Sequence, residues 1–104
     1  MKDCIIHLGE KFKLNVGLDP MGSLTMDDYD FVVEAYCVSY RRQIIPKAEC
    51  LRDDANNYVV RVDSNILGPG KVRLDVKAKI PDRDFEDGFR PGIREIETKY
   101  TIVK

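Results

Sequence analysis

The sequence predicts an all-β protein, an antiparallel immunoglobulin-like β-sandwich of about seven strands in one domain spanning residues 1–104. Three observations carry this. Residues 70–81 alternate, with Val72, Leu74, Val76, Ala78 and Ile80 on one parity and Lys71, Arg73, Asp75, Lys77 and Lys79 on the other. That is a strand with one dry and one wet face. Further runs of this kind recur every ten to fifteen residues with turn chemistry between them. No stretch has convincing helical periodicity. A small β-barrel is the alternative architecture.

Taken in order, residues 3–8 form a short first strand, broken at Gly9-Glu10. Lys11 to Leu18 alternates, with Phe12, Leu14, Val16 and Leu18 inward. Asp19-Pro20-Met21-Gly22-Ser23 is a turn, since proline presets φ and glycine permits positive φ. The third strand, Tyr29 to Tyr40, departs from the rule. Phe31, Val33, Ala35 and Cys37 take one face, yet the other carries Val32, Tyr36, Val38 and Tyr40 with only Asp30 and Glu34 as charges. A strand apolar on both faces is covered twice or presents a sticky surface. Gln43 to Leu51 reads as a weaker edge strand because of Pro46, and residues 52–57 as a polar turn. Tyr58, Val60 and Val62 define a fifth strand. Residues 64–67 suit one helical turn with Ser64 as N-cap. Leu67-Gly68-Pro69-Gly70 leads into the strand that Pro81 ends. Residues 81–92 read as a loop, and Ile93 to Val103 as the last strand, with Ile96, Thr98, Tyr100 and Ile102 inward.

Bulk properties narrow the function classes. The chain has 104 residues, 43% hydrophobic and 34% charged, enough for a core without metal or disulfide. Residues 1–52 hold seven basic and eight acidic side chains, and 53–104 ten of each. No basic stripe marks nucleic acid or an anionic membrane as a partner. No classical secretion signal or apolar span is present, so a cytoplasmic location is expected from the sequence pattern. Three cysteines, Cys4, Cys37 and Cys50, fit free thiols better than a disulfide framework.

The candidate sites follow from this frame. The two-faced strand nominates Val32, Tyr36, Val38, Tyr40, Arg41 and Arg42 as a partner-binding patch, with aromatic and apolar centre and arginine rim. Tyr36 and Tyr40 on one outward face would equally make a sugar platform. Asp82, Asp84, Glu86 and Asp87 before Gly88 resemble part of a calcium loop, though the twelfth position from Asp82 is Ile93 rather than an acid. A solvated turn is the plainer reading, and no cofactor or metal is expected. Cys4-x-x-His7 with Cys37 and Cys50 lacks a second zinc-type spacing. His7 is the single histidine and has no evident orienting acid, so no catalytic set emerges and the chain is read as a non-enzyme.

The run Gly9-Glu10-Lys11-Phe12-Lys13-Leu14-Asn15-Val16, the Pro20-to-Asp28 turn before Tyr29-Asp30-Phe31-Val32-Val33, and Ile66-Leu67-Gly68-Pro69-Gly70 resemble the N-terminal immunoglobulin-like domain of phage baseplate upper and tail-fibre proteins. The resemblance implies a structural or adaptor role in a phage or prophage tail, hence a virion-associated location as the alternative to a cytoplasmic one, with a protein partner or self-association and no catalytic residues. A small glycan- or calcium-binding module is the alternative.

Overall fold

The computed structural model describes residues 4–18, 23–38 and 40–104. Eight strands form: β1 (Cys4–His7), β2 (Lys11–Gly17), β3 (Asp30–Tyr36), β4 (Arg42–Pro46), β5 (Leu51–Asp54), β6 (Asn57–Asp63), β7 (Gly70–Pro81) and β8 (Phe89–Val103). A 3-10 turn (Lys47–Glu49) separates β4 from β5, and one helical turn, α1 (Ser64–Leu67), separates β6 from β7. A five-stranded sheet in the order β1-β8-β7-β3-β4 faces a three-stranded sheet, β2-β6-β5. That is the immunoglobulin-like arrangement, with the first strand moved to the larger sheet.

The alternating residues place the core. Val72, Leu74 and Val76 of β7, Phe31, Val33 and Ala35 of β3, Leu14 and Val16 of β2, and Tyr58, Val60 and Val62 of β6 are all buried in one cluster. Phe31 and Tyr58 meet edge to face across the sheets, ring centres 5.1 Å apart. Gln43 fastens one open side, donating from Nε2 to the Arg61 carbonyl (3.2 Å) and accepting at Oε1 from Asp63 N–H (2.9 Å).

Several expectations are corrected. The expected all-β sandwich is present, with eight strands, but β1 runs parallel to β8 where only antiparallel pairing was expected. Residues 43–51 are not one strand: the chain leaves the large sheet at Pro46, turns, and enters the small sheet as β5, so the expected polar turn at 52–57 is mostly strand. The third strand stops at Tyr36 instead of Tyr40. The Cys37 thiol reaches the Gly70 carbonyl (3.4 Å), and Arg41 N–H donates to the Val38 carbonyl (3.1 Å), which turns the chain. The last strand begins at Phe89, so the loop before it is shorter than expected. The N-cap of α1 is Asp63, whose carboxylate accepts from Asn65 N–H (3.0 Å). Ser64 is buried instead, accepting from Gly9 N–H at 2.8 Å and so tying the β1–β2 turn to α1. The turn at 19–23 lies outside the described residues apart from Ser23.

Leu74 is 1% exposed at the centre of β7. Leu74→Ala should cost about 2–5 kcal/mol of unfolding free energy, read from urea denaturation with an unchanged slope.

Candidate interaction face

The outward parity of the large sheet falls into cross-strand rows. Arg42, Tyr36, Arg73 and Glu97 align on β4, β3, β7 and β8; Ile44, Glu34, Asp75 and Glu95 form the next row; Pro46, Val32, Lys77 and Ile93 the third. Glu34 and Asp75 therefore stand directly opposite on the adjacent strands β3 and β7, both largely buried at 9% and 7% exposure. Like charges so placed repel. Arg42 resolves this by reaching from the edge strand to Asp75 Oδ2 (2.7 Å) and Glu34 Oε1 (3.2 Å), while Lys77 Nζ reaches Glu34 Oε2 (2.9 Å). Two anions and two cations leave the cluster neutral. The Arg42 guanidinium also lies 4.1 Å from the Tyr36 ring centre, and the Tyr36 hydroxyl donates to Asp75 Oδ1 (3.2 Å). Burial first, then that hydrogen bond, raises the Tyr36 pKa.

The six nominated residues separate on this surface. Tyr36 and Arg42 belong to the charge cluster. Val32 is half-buried in the next row but one. Val38 and Tyr40 lie beyond the end of β3, in the connection to β4, and Tyr40 is 84% exposed. Tyr36 and Tyr40 thus share no strand face, and the Tyr36 ring is stacked on an arginine, so the expected two-ring platform does not form. Arg41 points elsewhere, donating from Nε to the Ile66 carbonyl (3.1 Å) and from Nη2 to the Asn65 carbonyl (2.7 Å) of α1. Ile44, absent from the nominated set, is 64% exposed between Arg42 and Pro46. The alternation Arg42-Gln43-Ile44-Ile45 holds the signal for it, but Ile44 and Ile45 have equal hydropathy, and only pairing decides which faces out.

The loop acids do not converge. Asp82 Oδ1 accepts from Asp84 N–H (3.1 Å), Asp82 Oδ2 pairs with Arg90 (3.3 Å), and Asp87 Oδ1 accepts from Phe89 N–H (3.2 Å). Among the described residues no three His, Cys, Asp or Glu side chains gather as metal ligands. Cys4, Cys37 and Cys50 are free thiols, and burial pushes the Cys37 and Cys50 pKa values up, away from thiolate reactivity.

A second polar cluster forms at the β2–β3 connection. Arg52 grips Asp27 with Nε and Nη2 (3.0 and 2.9 Å), and the Tyr58 hydroxyl donates to Asp27 Oδ1. The Arg52 hydrogen bonds, then that of Tyr58, hold the Asp27 carboxyl at about 2, from an ordinary 3.8. Lys47 Nζ donates to the carbonyls of Met26 (2.9 Å), Asp27 (3.2 Å) and Tyr29 (2.8 Å). These bonds pin a loop to the sandwich, and no local sequence signal distinguishes Asp27 from Asp28 for this role.

No family profile matches the chain, and no curated protein matches it. Among solved structures it is similar to "a putative glycoside hydrolase from Bacteroides vulgatus ATCC 8482", at 14% identity and a TM-score of 0.47, over 98% of this chain and 16% of that one. The chain thus spans about one sixth of that protein's length. A likeness of this degree transfers neither activity nor substrate.

Two outcomes follow from the clusters. Arg42→Ala leaves two facing carboxylates underneutralised, so the melting temperature should fall, and adding Asp75→Asn should recover part of the loss in a double-mutant cycle. For Asp27 the folded chain binds fewer protons than the unfolded one between pH 3.8 and about 2. Its stabilisation is present above 3.8 and lost as pH falls through about 2. Asp27→Asn should flatten the acid limb of stability against pH in that window.

Proposed function

We propose that the protein is a non-enzymatic structural or adaptor module that assembles with another protein, or with copies of itself, through the β3–β4 side of the large sheet. The observation that carries this is the pairing of Tyr40 and Ile44, exposed by 84% and 64%, with a neutral and internally satisfied charge cluster. Exposed apolar groups cost free energy in water. Beside them, Glu34, Asp75, Arg42 and Lys77 are already ordered and matched in charge, so covering them strands few unpaired groups. Val32 and Val38 widen the apolar centre, and Arg42 and Arg73 supply rim donors. Arg41, spent on the α1 carbonyls, serves the fold. The setting implied by the resemblance is a phage or prophage tail or baseplate, and no cofactor enters this role.

Site-specific photocrosslinking in the producing host tests it. A photoreactive residue at position 40 or 44 should give a discrete protein adduct, and one at Lys13, on the small sheet, should not. Equal adducts at all three positions, or none at 40 and 44, sink the proposal. Mass spectrometry of the adduct then decides between a tail protein, a second copy and another partner.

A further inference from the structure

We infer that the free edge of β8 is a strand-addition site for an extended segment of another polypeptide, one that alternates acidic and apolar side chains. The strand is long, Phe89–Val103, but β1 pairs with it only at Tyr100–Val103. Among the described residues no strand covers β8 before Tyr100 on the side away from β7.

The backbone there has a definite polarity. The β7–β8 hairpin closes with Asp82 N–H donating to the Gly88 carbonyl at 2.8 Å. From that pair an antiparallel ladder alternates. Arg90, Gly92, Arg94 and Ile96, opposite Ile80, Ala78, Val76 and Leu74, turn their main-chain groups to β7. Pro91, Ile93, Glu95 and Glu97 turn theirs to the free edge. Proline fits that side, where no ladder donor is lost. The edge therefore offers three N–H and four C=O groups over roughly 20 Å, a template for main-chain pairing.

The side chains select the occupant. The inward row beside this edge reads Arg90, Gly92, Arg94, Ile96. Arg90, Gly92 and Arg94 line an apolar cleft of about 150 Å³ with Leu18, Val76, Ala78 and Ile80. Arg90 pairs with Asp82 (3.3 Å), whereas Arg94 has no ion pair or hydrogen bond among the described residues. An added strand with acids beside Arg90 and Arg94 and an apolar residue between them satisfies both charge and cleft. A second copy fits worse, because antiparallel β8–β8 pairing brings two more arginines into the same row. Pro91 and the charges of Arg94, Glu95, Glu97 and Lys99 discourage indiscriminate edge pairing. This edge is separate from the β3–β4 side, and each is tested without the other.

The probe is a blocked peptide, Asp-Thr-Val-Thr-Asp-Thr-Val, compared with its analogue carrying lysine for aspartate. By titration the acidic peptide should bind at least about tenfold more tightly. It should slow hydrogen exchange at the amides of Ile93, Glu95 and Glu97. Arg94→Glu should abolish the preference for the acidic peptide. Glu95→Pro, which removes only an outward donor, should weaken binding with the β7–β8 amides still protected. Equal or absent binding of the two peptides overturns the inference. So does slow exchange of those three amides in the free monomer, or a concentration-dependent dimer that protects them.

Discussion

The edge-to-face contact of Phe31 and Tyr58 joins the two sheets and organises what surrounds it. Phe31 comes from β3, the neighbour of the large sheet's edge strand β4, and Tyr58 from β6, the central strand of the small sheet. Such a pair adds about 0.5–1.5 kcal/mol beyond the area it buries. Its greater effect is positional. With the Tyr58 ring fixed, its hydroxyl is presented to Asp27, which in turn holds Arg52 of β5. Lys47 lies 5.6 and 5.9 Å from the two ring centres and ties three carbonyls of the β2–β3 connection. A loop, an edge strand and a 3-10 turn are thereby fastened to one aromatic pair.

The outer face of the large sheet obeys a different constraint. Two carboxylates brought together by strand pairing must be compensated or kept apart. Here compensation comes from a residue on the sheet's edge strand, Arg42, and from Lys77 on the central one. The cluster fixes the β3–β4 hairpin to the sheet, and Tyr40 and Ile44, both exposed, stand two residues to either side of its arginine along the chain. Stability of the face and exposure of its apolar residues are thus properties of the same hairpin.

The unequal sheets leave edges with different characters. β4 ends at Pro46, and Gln43 binds it to β6 across the open side. β8 runs far beyond its short partner β1 and borders a cleft lined by Leu18, Val76, Ala78 and Ile80. The two proposed contact surfaces lie on different parts of the large sheet, one on its outer face at β3–β4 and one along its β8 edge.

The alternation of residues 11–17, 58–63 and 70–81 determined three strands and their buried sides, because a period of two leaves no choice of face once one side is apolar. All-β class and sandwich architecture follow from such runs. In β3 the same logic placed Phe31, Val33 and Ala35 inside. It did not place Glu34, since sequence shows a charge but not the cation that another strand brings to it. The end of β3 at Tyr36 and the crossing from β4 to β5 were also illegible, because a chain turns where a partner strand ends, and partners are distant in sequence. The nominated patch joined residues of one parity with Arg41 of the other, and tertiary structure sorted them: Tyr36 and Arg42 to the charge cluster, Arg41 to α1, Tyr40 to solvent. The one local signal for the free edge of β8 is Pro91, which cannot supply a ladder donor. Local periodicity determined which side β2, β6 and β7 bury; only pairing between strands decided which charges meet, which apolar groups stay exposed and which edge, among the described residues, lacks a neighbour.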